Sequence, residues 1–92
     1  MSDEPAHELV RMIEGVDWDV ITPKLLIFAQ FCLARHRLRH GANGETAHDY
    51  VTRAVYELLD GKHPSVDGTL FQRLCTIISG SVRFDAAGAG AA

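Results

Sequence analysis

Three observations predict an all-α fold for this chain, a small bundle of about four helices. Apolar residues recur at helical spacing in four separate stretches. Helix start and stop signals bound those stretches, and no convincing run alternates apolar and polar residues as a half-buried strand does. Ninety-two residues supply one modest core and not two. A hydrophobic fraction of 47% beside a charged fraction of 23% is that of a folded globular domain, which excludes a disordered chain.

The first helix is short and occupies residues 1–16. Pro5 stands at a first-turn position, Leu9, Val10, Met12 and Ile13 are apolar, and Gly15 closes it. Asp3 and Glu4 suit the positive end of its dipole. The second starts near Trp18, or at Thr22-Pro23 where Thr can cap and Pro can take the first helical position, and runs to about Arg39. Apolar residues surround most of it, so it is expected to be the central helix, with Trp18, Phe28, Phe31 and Phe71 supplying much of the buried surface.

The third helix carries the clearest punctuation. Thr46 precedes Asp49 by three residues, as in a capping box, and Gly61 stands where a left-handed cap is expected. Ala47, Val51, Ala54, Val55, Leu58 and Leu59 form its apolar side, while His48, Asp49, Thr52, Arg53 and Glu57 form its polar side. Asp67 or Thr69 can cap the fourth helix, whose apolar side is Leu70, Phe71, Leu74, Cys75, Ile77 and Ile78. That helix reaches at least Ser79, and Ser79-Gly80-Ser81 reads as its end. Residues 85–92, all Gly and Ala after Asp85, read as a disordered tail, a linker or a truncation scar. The helical domain proper is then residues 17–84.

Charge and chemistry narrow the function classes. A formal charge of −3 does not mark the whole domain as a nucleic-acid binder. Cys32 and Cys75 lack CxxC spacing and read as reduced core thiols. With no secretory signal and no run long enough to span a membrane, they point to a cytoplasmic protein. Cys32, His36 and His40 share a helix face at zinc-ligand spacing, but three neighbouring arginines oppose a cation there, so neither metal nor cofactor is expected. No phosphate loop, HExxH or Gly-x-Ser-x-Gly is present, and an enzyme is not expected. His48 and His63 read as exposed, and Tyr50 either packs at the core edge or points outward as an interface anchor.

In this order of helices the chain resembles the second conserved region of bacterial RNA polymerase sigma factors, particularly the extracytoplasmic-function-like ones. The resemblance runs roughly from Trp18 to Val82. The family's Leu-Leu-x-Phe/Tyr-Ala is matched by Leu25-Leu26-Ile27-Phe28-Ala29. The following basic helix end and polar loop are matched by Arg35-His36-Arg37-Leu38-Arg39 and Gly41-Ala42-Asn43-Gly44. The hallmark Ala-Glu-Asp-Leu-Val-Gln-Glu-Ala stands here as Ala47-His48-Asp49-Tyr50-Val51-Thr52-Arg53-Ala54, closed by Leu58-Leu59-Asp60-Gly61. Of its functional positions only Asp49 is unchanged: His48, Thr52 and Arg53 stand for Glu, Gln and Glu.

The resemblance implies a module that works by protein contact in transcription or its regulation, with RNA polymerase core as the partner. The expected contact face is Asp49, Thr52, Arg53, Tyr56 and Glu57. A promoter-melting segment would fall in and after the fourth helix, where Arg73, Arg83 and Phe84 stand. Two other readings stay open. One is a nucleic-acid surface, DNA included, made by Arg35, Arg37, Arg39 and Arg73. The other is a homo-oligomer paired through the apolar surface of the fourth helix.

Overall fold

The computed structural model describes residues 4–38, 44–63 and 67–90. Its elements are four helices: α1 (Glu4–Gly15), α2 (Trp18–Arg35), α3 (Ala47–Leu59) and α4 (Leu70–Gly90). No strand occurs among the described residues. Asp3, Arg39, His40 and the loop residues 41–43 and 64–66 lie outside them.

Each helix boundary has a local cause. Asp17 caps α2, its Oδ1 accepting from the Asp19 amide at 3.1 Å, so the helix starts at Trp18 and Pro23 lies inside it. The Trp18 indole donates to the Ile13 carbonyl at 3.1 Å and ties α1 to the start of α2. The capping box of α3 is present in both halves. The Asp49 amide donates to the Thr46 hydroxyl at 3.3 Å, and the Thr46 amide donates to Asp49 Oδ2 at 2.9 Å. At its other end Lys62 N donates to Glu57 O and Gly61 N to Leu58 O, the two bonds of a Schellman cap, with Gly61 at φ +73°. Thr69 and Gln72 form a second reciprocal cap at the start of α4.

Two expected ends move. The second helix stops at Arg35 rather than near Arg39, because Arg37 turns into the left-handed region at φ 59°. Leu38 N then reaches back to Leu33 O at 2.8 Å, and half-buried Leu38 packs on the core. This is the same cap as at Gly61, built on a residue with a Cβ, where sequence gives no warning. The fourth helix passes through Ser79-Gly80-Ser81 and continues to Gly90, so residues 85–90, expected as disordered tail, are helical.

Helices α2, α3 and α4 pack pairwise around one core of Leu25, Ala29, Tyr50, Ala54, Leu74, Ile78 and Val82. At about 1.5–3 kcal/mol for each large side chain removed from water, this mainly aliphatic set carries the fold. The aromatic residues contribute less than the sequence suggests. Trp18, Phe28 and Phe71 are half-buried and Phe31 is 59% exposed, whereas Tyr50 is fully buried. Helix α2 is not wrapped on all sides: Val20, Ile27 and Phe31 leave an exposed apolar stripe along it. The apolar side of α4, expected as a pairing surface between subunits, is instead taken up inside the bundle by Leu70, Leu74, Ile77, Ile78 and Val82. Among the described residues no helix is long and apolar enough to cross a membrane.

Candidate functional site

The polar side of α3 meets α4 at Arg53. Its guanidinium lies 4.8 Å from the centroid of the Tyr50 ring, three residues earlier on the same helix. Nη1 donates to Glu45 Oε1 at 3.0 Å and Nη2 donates to Asp85 Oδ2 at 3.3 Å. Nε, shielded from solvent, faces Glu57 Oε2 at 3.7 Å, which is an ion pair but not a hydrogen bond. Asp85 also accepts from the Tyr50 hydroxyl at 2.6 Å, so one carboxylate from α4 holds two side chains of α3. Glu57 holds His63 as well, Oε1 to Nε2 at 2.7 Å.

The electrostatics follow from this geometry. Burial, the Asp85 hydrogen bond and the nearby carboxylates push the Tyr50 phenol up to about 12, so it is a donor at every physiological pH. Burial works against the Arg53 charge, but Asp85 and Glu45 outweigh it and hold its pKa above the ordinary value. The Asp49 carboxyl is held below its ordinary value by the Thr46 amide and hydroxyl. Three carboxylates surround one guanidinium, so the cluster is net negative although an arginine sits at its centre.

Beside the cluster lies an open cleft of about 390 Å³ between α3 and α4. Arg53, Glu57 and His63 line one wall; Gly80, Ser81 and Phe84 line the other. Phe84 is 79% exposed there, and Tyr56 is 64% exposed on the outward side of α3.

The expected contact face therefore divides. Thr52 and Tyr56 project freely, and Asp49 is exposed while serving as the cap of α3. Arg53 and Glu57 are half-buried, engaged in the cluster, and line the cleft beside it. His63 is half-buried on Glu57 rather than simply exposed, and Tyr50 packs inward. The described members of the second arginine set fall at the end of α2 and the start of α4. Arg35 and Arg37 are exposed at the end of α2, and Arg39 lies outside the described residues. Arg73 sits at the start of α4, its Nε donating to Gly68 O at 2.9 Å. It is ten residues from Arg83, about 15 Å along the helix. Arg83 and Arg35 instead line one cavity between α2 and α4.

Reading the chain alone misses Asp85 and Glu45. Asp85 is 35 residues from Tyr50 and heads a segment whose composition hides it. The one available signal was an acidic residue opening an otherwise featureless Gly/Ala stretch. Among the described residues, no three of His, Cys, Asp and Glu converge as metal ligands would, and His40 lies outside those residues. Cys32 and Cys75 are free; burial raises both thiols, that of Cys75 to about 11. Fold and site together define a small helical bundle with a carboxylate-rich, aromatic-flanked cleft on one side. No family model, curated protein or solved structure matches this chain.

Proposed function

We propose that this chain is a sigma-factor-like helical module that acts by binding a protein partner, in transcription or its regulation, rather than by catalysis. The binding surface is the outward side of α3 with the adjoining cleft, and the partner surface is basic. RNA polymerase core is the partner to test first, on the resemblance of α2 to α4 to the sigma second region.

One observation carries this reading: the charge reversal at Arg53 does not reverse the charge of the surface. Where the resembled hallmark has Glu, this chain has Arg53, which alone would repel a basic partner. Its guanidinium is turned in among Glu45, Glu57 and Asp85, which leaves the neighbourhood acidic. Tyr56 and Phe84 then supply exposed rings of the kind that anchor interfaces.

The test is capture of purified RNA polymerase core by the full chain, with titration by light scattering or calorimetry. Thr52→Arg and Tyr56→Ala are the informative variants, because Asp49→Arg also removes the cap of α3. Each is expected to weaken binding about tenfold or more. No association at micromolar concentrations removes polymerase as partner. Undiminished binding by both variants removes this side of α3 as the surface.

A further inference from the structure

The opposite flank of α4 holds a second cavity, and its chemistry is the reverse of the first. It measures about 270 Å³ and lies between α2 and α4. Arg35 and His36 from the end of α2 line it, with Ser79 and Arg83 from α4 and the rings of Phe28 and Phe31. The Cys32 thiol, close to the Ser79 hydroxyl, completes the lining. No carboxylate is among these residues. Among the described residues none lies within ion-pair distance of Arg35 or Arg83, although the chain carries a net charge of −3.

Arg35 has a local reason to be where it is, since a cation at a helix C-terminus faces the negative end of the dipole. Arg83 has none. It lies seven residues before the end of α4, one turn beyond Ser79 on the same flank, and carries its charge to a cavity that already holds another arginine. Two guanidiniums bordering one cavity, with no carboxylate among its described lining residues, give it a positive potential suited to an anion. Arginine forks, a hydroxyl and an imidazole are the groups that hold phosphate oxygens, and two phenylalanine rings offer a flat aromatic group something to stack on. The volume is just under the range of small-molecule pockets, which suits a single nucleotide rather than a run of bases.

From these groups we infer that the α2–α4 cavity is a binding site for a nucleoside monophosphate. Arg35, Arg83 and Ser79 hold its phosphate, and Phe28 and Phe31 flank its base. The site is independent of the α3 surface, since Thr52 and Tyr56 do not line it.

The test is titration of the isotope-labelled full chain with AMP, inorganic phosphate, adenosine and a short single-stranded oligothymidylate, followed by amide NMR. AMP is expected to shift the amides of His36, Ser79 and Arg83 and to leave Thr52 and Tyr56 unmoved. Arg35→Ala and Arg83→Ala each weaken AMP about tenfold or more, as loss of a charged hydrogen bond does. Phe31→Ala weakens AMP while leaving inorganic phosphate unchanged. All three side chains are exposed, so the variants should melt as the parent does; Arg83→Lys, which keeps the charge and loses the fork, gives the same loss by a second route. Three results overturn the inference. One is no shift at millimolar AMP, and another is AMP affinity unchanged when both arginines are removed. The third is oligothymidylate binding that grows with length while AMP stays silent, which would assign the arginines to a strand.

Discussion

The two flanks of α4 differ in sign and in completeness. Toward α3, Asp85 joins Glu45 and Glu57 around Arg53 and receives the Tyr50 hydroxyl, so every charge there has an internal partner. Toward α2, Arg83 and Arg35 share a cavity that no carboxylate of the described residues lines. Asp85 and Arg83 are two residues apart, and the turn of the helix sends one to each flank. The acidic flank ties α3 to α4 and presents what remains of its charge outward. The basic flank leaves its two arginines exposed beside the cavity. The net charge of −3 describes neither.

Both flanks rest on the same floor, so the largest effect comes from removing it. Ile78→Ala should cost about 2–5 kcal/mol in urea unfolding and lose both surfaces together. Next is the contrast itself. Asp85→Ala leaves a buried phenol and a guanidinium short of an acceptor and should cost about 1–3 kcal/mol. Arg83→Ala, on an exposed position, should stay within about 0.5 kcal/mol. Equal costs would mean the two flanks are not different in kind.

Smaller gains are expected where the backbone is at odds with its residue. Gly80 lies inside α4 with open space where a Cβ would go, so Gly80→Ala should stabilise by about 0.5–1 kcal/mol while narrowing the α3–α4 cleft. Arg37→Gly relieves a left-handed residue at the end of α2. Part of that gain is returned through the greater freedom of glycine in the unfolded chain, leaving about 0.5 kcal/mol by thermal melting.

The acidic flank also has a pH signature. With the Tyr50 phenol raised to about 12 in the folded chain, the native state keeps a proton that the unfolded chain releases near pH 10. Its stabilisation is complete below that ordinary value and is lost as pH climbs through about 12. Absorbance titration of tyrosinate should show one residue ionising near that upper value, and Asp85→Asn should bring it down. A Tyr50 that titrates at the ordinary value would mean that Asp85 does not receive its hydroxyl.

Much of the bundle was legible in the residues. Thr46, Asp49 and Gly61 mark α3 because caps act over three or four positions, and the caps are where those residues said. The apolar rows of α3 and α4 mark buried sides because helical periodicity is local. Ends without such chemistry were not legible. Arg37 does the work of a glycine, and the run from Ser79 into the Gly/Ala stretch continues as helix because Val82 and Asp85 find partners on other helices. Of the expected contact residues, Thr52 and Tyr56 project as read. Arg53 and Glu57 are engaged in the cluster, since the groups that hold them there come from Glu45, His63 and Asp85.

What the sequence determined by itself was which segments become helices and which side of each is apolar, because propensity, periodicity and capping act within a few residues of chain. Only the tertiary structure decided where the charges go. Tyr50 meets Asp85 across 35 residues, and Arg35 and Arg83 come to line one cavity where α2 packs on α4. Pairings at that separation follow from how three helices share one core, and nothing in the local sequence encodes them.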